Sequence, residues 1–156
     1  MDDFLSELND MLNTTYRDIT RIEERLTRDK SNDELSISEM HLIETIARDK
    51  VPKTITYIAQ EHSLSLPTVT VAINKLVRKG YVEKLRDEKD ARVVFVRVTP
   101  LGRKADVAHR YFHRRMLIHM TRGLSEEEKK AMLKGIQKMD EFLKTVNSPE
   151  KSKGEK

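Results

Sequence analysis

The chain has 156 residues, 37% hydrophobic and 36% charged, with no cysteine and a formal net charge of +4. One core with helical extensions is feasible at this size. Disulfides, thiolate metal sites and thiol redox sensing are excluded, and a cytoplasmic location is expected.

Phe4, Leu8, Met11, Leu12, Tyr16, Ile19, Ile22 and Leu26 recur at helical spacing and predict a long amphipathic first helix, ended by the polar stretch 28–34. No apolar run reaches the ~18 residues of a bilayer span, and the start Met1, Asp2, Asp3 is unlike a signal peptide. Ser36 and Glu39 form a capping-box pattern that opens a second helix, to about Arg48. Residues 49–53 read as a turn. Thr54 caps a short third helix with Ile55, Ile58 and Ala59 on one face, and 62–65 is a second tight break. Ser65 caps a fourth helix, with Pro67 in its first turn, and Gly80 stops it. Residues 81–85 and 93–98 are rich in β-branched and aromatic side chains around a polar centre, which predicts a β-hairpin. Thr99 and Pro100 start a fifth helix to about Arg122, closed by Gly123. Ser125 and Glu128 open a sixth, with Met132, Leu133, Ile136, Met139 and Leu143 on one face. The tail 147–156 has no apolar periodicity and is expected to be disordered.

Two short helices around a tight turn, followed by a charged hairpin, have the order of a winged helix-turn-helix. Winding the fourth helix at ~100° per residue puts Val69, Ala72, Ile73 and Leu76 inward. The opposite face carries Pro67, Val71, Asn74, Lys75 and Arg78, with Thr68 and Thr70 at its flanks and no acid on the helix. Asn pairs with adenine, Arg and Lys favour guanine, and Val71 suits a thymine methyl. Ser65 and the helix N-terminus suit phosphate oxygens. At the hairpin tip Arg86, Lys89 and Arg92 would meet the minor groove or a phosphate ridge, with Asp90 holding the Arg92 guanidinium. The plainer alternative is an ordinary solvated helix that lacks acids, since mixed charge is usual on a surface, and for the tip a soluble loop of mixed charge, which Asp87 and Glu88 keep open.

The run from Asp90 through Arg92, Val93, Val94, Phe95, Val96, Val98, Thr99 and Gly102 resembles the wing signature of the MarR family. Leu64 to Thr70, with Asn74, Lys75, Leu76, Gly80 and Tyr81, resembles its recognition helix and entry into the wing. The resemblance covers 4–146. It implies a mainly α fold of six helices and a β-wing, in a MarR-like homodimer that binds inverted-repeat double-stranded DNA. The expected parts are a dimerisation helix (1–34), a winged helix-turn-helix domain (35–100), C-terminal dimerisation helices (101–146) and a tail. Amphipathic stripes at both chain ends, too extensive for one small core, agree with a partner copy.

Within that family the chain is most similar to the branch that represses fatty-acid biosynthesis genes with long-chain acyl-acyl-carrier protein as corepressor. Residues 37–41, 112–116 and 123–128 carry the likeness. Met40, Ile43, Met116 and Met120 offer flexible apolar lining, although core filling is the commoner reason for methionines at such positions. Arg103, Lys104, Arg110, Arg114 and Arg115 suit an acidic carrier protein. A competing set begins with His109 and His113, four apart on one helix face. His41 and Glu23 complete a three-nitrogen, one-oxygen set suited to zinc. Those positions resemble the principal metal site of the zinc-responsive MarR branch. A second site of that branch lacks its ligands here, with Met40 and Ala108 at two of its positions. His62 and His119 show no evident partners. No catalytic motif is present and no cofactor is required, so an enzyme is not expected. A winged helix used only for protein contacts is the other rival, and it does not need Asn74 and Arg78.

Overall fold

The structure is a computed structural model that describes residues 2–27, 35–86 and 93–147. Among them lie α1 (Asp3–Thr27), α2 (Ile37–Ala47), a 3-10 turn (Arg48–Lys50), β1 (Lys53–Thr54) and α3 (Ile55–Glu61). They are followed by α4 (Leu66–Arg78), β2 (Val82–Arg86), β3 (Val94–Val98), α5 (Pro100–Thr121) and α6 (Glu126–Asn147). The wing tip, with Lys89, Asp90 and Arg92, and the tail from 148 lie outside the described residues. The chain forms two compact units, Met1–His113 and Arg114–Lys156.

In the first unit α2 is the central helix, buried at Met40, Leu42, Ile43, Thr45, Ile46 and Ala47. It packs with Ile58 and Ala59 of α3, Val69, Ile73 and Leu76 of α4, and Val82 and Val96 of the sheet. The buried α4 residues are spaced four and three apart, so the opposite face of that helix is left to solvent. Helix ends follow the expected chemistry. Ser36 and Glu39 close a reciprocal capping box, while the Thr54 and Ser65 hydroxyls accept from Tyr57 N and Thr68 N. At the end of α4, Gly80 takes φ +78, Tyr81 N donates to Leu76 O and Gly80 N to Val77 O. That is a Schellman closure, with Tyr81 and Leu76 both in the core.

The expected hairpin is a three-stranded antiparallel sheet in the order β1-β3-β2. Lys53 and Thr54, read from sequence as turn and cap, pair with Val96 and Phe95. An N-cap backbone is extended, with Thr54 at φ -75 and ψ 153, so the cap residue also serves the strand. Two residues are too few to show a period-2 pattern. The break between α3 and α4 turns through Ser63 at φ 52, and Leu64 N donates to Ala59 O.

Thr99 joins the sheet to α5. Its hydroxyl donates to Gly80 O at 2.6 Å and accepts from Gly102 N at 3.1 Å. A Cβ at Gly102 would collide with the Tyr81 carbonyl oxygen, so only glycine lets the first turn of α5 lie this close. On α1, Phe4, Met11 and Tyr16 are exposed. In the second unit Gly123 takes φ +84, and Ser125 and Glu128 form the expected capping box. There α6 leaves Leu133, Ile136, Phe142 and Leu143 exposed.

Candidate nucleic-acid interface and histidine cluster

The outer face of α4 is open where the sequence places it. Pro67, Thr68, Val71, Asn74, Lys75 and Arg78 are exposed, Val71 to 67%. Several of the proposed contacts are also engaged within the protein. The Ser65 hydroxyl oxygen caps α4 and lies 2.7 Å from Thr68 Oγ1. Thr70 is only half-exposed and its hydroxyl donates to Leu66 O at 2.8 Å, back onto its own helix. Lys75 Nζ sits 3.1 Å from Glu39 Oε1, drawn towards α2. Thr70 and Lys75 thus hold intramolecular partners on the face where the sequence places DNA contacts. An alcohol in a helix finds its own carbonyl four residues back, and the buried Glu39 carboxylate attracts the nearby ammonium.

Glu39 organises that side of the unit. Its Oε2 accepts from Lys79 Nζ at 2.9 Å and from Ser36 N at 2.8 Å. Burial pushes the Glu39 carboxyl up. The bonds from Lys79, Ser36 and Lys75 outweigh that and hold it below the ordinary glutamate value. On the other flank of α4, Lys84 Nζ donates to Asn74 Oδ1 at 2.6 Å. Arg86 is exposed at the end of β2, on the same strand face as Lys84.

A second cluster forms between α1 and α5 in the same unit. Glu23 Oε1 lies 2.7 Å from His113 Nε2 and 3.2 Å from His109 Nε2, and the two nitrogens are 3.1 Å apart. Donor atoms on a tetrahedral zinc stand about 3.3 Å apart, given bonds of about 2.0–2.1 Å, so these three atoms fit one cation. With no cation, two Nε2–H groups serving Glu23 would point at each other. The buried His109 Nδ1, which has no hydrogen-bond partner among the described residues, would turn a lone pair towards Glu44 Oε2 at 3.8 Å. With both Nε2 atoms as ligands, the His109 proton moves to Nδ1 and faces that carboxylate. Burial, then the neighbouring His113, pushes the His109 imidazole down, which favours the neutral form a metal needs.

His41 is not among these three. Its ring stands edge-on to His109 at 5.8 Å between centroids and is exposed, so the four-residue set of the sequence reading is corrected to three. His62 does have a partner, Thr45 Oγ1 at 2.9 Å from its Nε2. Of the proposed acyl-chain lining, Met40 and Ile43 fill the core of the first unit. Met116 is half-buried and Met120 exposed in the second. Arg103 donates to Ala47 O and Arg110 to the buried Asp106, so both serve the fold.

A family model for the transcriptional regulators SarA/Rot matches residues 26–106, about half of the chain. A crystal structure of Streptococcus pneumoniae FabT in complex with DNA superposes with a TM-score of 0.80 at 34% identity. That match covers 91% of this chain and 99% of FabT. This chain belongs to the winged-helix transcriptional regulators of the SarA/Rot and MarR type. The crystal structure of the MarR family transcription regulator SP03579 shares the fold at 19% identity, with a TM-score of 0.72 over 92% of this chain and 93% of the other. The transcriptional regulator AdcR of Streptococcus pneumoniae is 32% identical over 75 residues, 48% of this chain and 50% of AdcR. The regulator spans about half the length of curated relatives such as AdcR.

Two features of this regulator escaped the sequence reading. Lys84 follows from strand alternation, because it shares a face with Arg86. The Glu39 tie to Lys79 has no local signal: Glu39 reads as half of a capping box, and its second role comes from residues forty positions on.

Proposed function

We propose that this regulator is a repressor that binds an inverted-repeat operator as a homodimer, reading bases through α4 and phosphates through the wing. The observation that carries the reading is the exposed, acid-free stripe of Val71, Asn74 and Arg78 on a helix whose other face is locked into the core. Likeness over nearly the full length to FabT, a protein solved on DNA, supports it. The apolar stripes exposed on α1 and on α6 support a second copy as partner. A two-fold pair would span half-sites about one helical turn apart.

The resemblance to repressors of fatty-acid biosynthesis extends the proposal to those genes, with long-chain acyl-acyl-carrier protein as corepressor. The test is duplex binding with and without acyl-carrier protein loaded with a long acyl chain. Tightening of about 5- to 150-fold supports the corepressor role, and no change with any acyl length excludes it. The convergence of Glu23, His109 and His113 favours a second reading, in which a zinc ion shifts the same equilibrium. Zinc tightening the complex while acylated carrier does nothing would select it.

A further inference from the structure

We propose that Lys84 holds the Asn74 oxygen towards β2 so that the centre of the α4 face leads with hydrogen-bond donors, and thereby selects guanine over adenine at the base pair it meets. The inference rests on the DNA-binding reading above. Lys84 Nζ is 2.6 Å from Asn74 Oδ1. An ammonium has donors and no acceptor, so this contact sets which end of the amide points where. The oxygen turns to β2 and the NH2 group turns away, with no partner among the described residues.

A free asparagine presents one donor and one acceptor, which match N7 and the N6 amino group of adenine. Here one of the two lone pairs of the oxygen is taken by a charge-assisted bond, stronger than a neutral one, and the oxygen is held towards β2. What remains outward is the amide NH2 and the two other ammonium protons. Guanine presents two major-groove acceptors, N7 and O6, whereas adenine would set its amino group against a donor, and thymine offers one acceptor, O4.

Rigid elements hold the pair. Lys84 lies opposite Val96 in the sheet, on the same face as Val82. Val82 and Val96 are core residues, and Lys84 continues that face past the end of the core towards α4. The Schellman closure at Gly80 joins α4 to β2 with two backbone hydrogen bonds, so helix and strand are carried together.

The test uses the full chain and duplexes selected from a library randomised around an inverted repeat. The Asn74→Ala variant identifies the base pair concerned as the position whose preference it loses. The wild type should hold guanine there over adenine by about tenfold or more. Lys84→Met, at an exposed position that leaves the fold intact by circular dichroism, should move that position to adenine. Lys84→Arg should keep guanine. Adenine selected by the wild type, guanine kept by Lys84→Met, or no position lost in Asn74→Ala overturns the inference while leaving DNA binding in place. No enrichment by any variant at low salt overturns the DNA-binding reading itself, and the inference with it.

Discussion

Glu39 Oε2 accepts from the Lys79 ammonium at 2.9 Å, with 6% and 8% of the two side chains exposed, and so ties the start of α2 to the end of α4. Breaking such a pair strands one charge away from water. Glu39→Ala should cost about 3–5 kcal/mol, whereas replacing both residues by methionine should recover most of the loss. Urea unfolding of the single and double variants measures this. A loss below about 1 kcal/mol for Glu39→Ala contradicts the role.

The same carboxyl gives a pH dependence of known sign. Its value in the folded protein is below that of the unfolded chain. The stability it contributes is complete above the ordinary glutamate value and is lost as pH falls from there through the lower folded value. Glu39→Gln should be less stable near neutrality and show a shallower decline over that acid window. Parallel wild-type and variant curves would exclude the assignment.

His62 works at higher pH. Its imidazole is pushed down by burial first, then by His41 and Arg48, against the pull of Glu61 and Glu44. From the ordinary histidine value down to the lower folded value, the unfolded chain binds a proton that the folded chain does not. Stability is therefore lost as pH drops across that window and regained as pH rises. Histidine resonances followed by NMR should show His62 titrating below the ordinary value. A His62 titration at or above the ordinary value contradicts the burial.

Gly102 is a pure test of close approach. Gly102→Ala places a methyl against the Tyr81 carbonyl oxygen, which already accepts from Thr99 N at 3.0 Å. It should destabilise by about 1–3 kcal/mol, read by chemical denaturation, while the open Gly135→Ala should be neutral or stabilising in mid-helix. Equal effects at the two sites would rule out steric conflict at Gly102.

The helices were legible because their signals are local: caps at Ser36, Thr54, Ser65 and Ser125, apolar spacing on α1, α4 and α6, and glycine stops at Gly80 and Gly123. The exposed stripe of α4 followed from the same periodicity. What escaped is non-local. Lys53 and Thr54 become a strand only because β3 comes beside them. Lys75 is diverted by Glu39, thirty-six positions earlier in the chain. His41 falls outside the ligand group because helical spacing fixes the face a residue occupies and leaves the rotation of its ring open.

The histidine cluster makes a stoichiometric prediction. The purified chain should bind one zinc per protomer, and both His109→Ala and Glu23→Gln should abolish it, whereas His41→Ala should weaken it less. Metal content by mass spectrometry after dialysis decides. Full zinc retention in His109→Ala would exclude the site.

The central claim is that the α4 face reads DNA, and Arg78 tests it most directly. Binding of wild type and Arg78→Ala to a selected inverted-repeat duplex is measured by fluorescence anisotropy across a range of salt. Wild-type affinity should fall steeply and log-linearly as salt rises. Arg78→Ala should lose about 5- to 150-fold on that duplex, with sequence preference relaxed at one position. No salt-dependent duplex binding by the wild type, with or without acylated carrier or zinc, would contradict the claim.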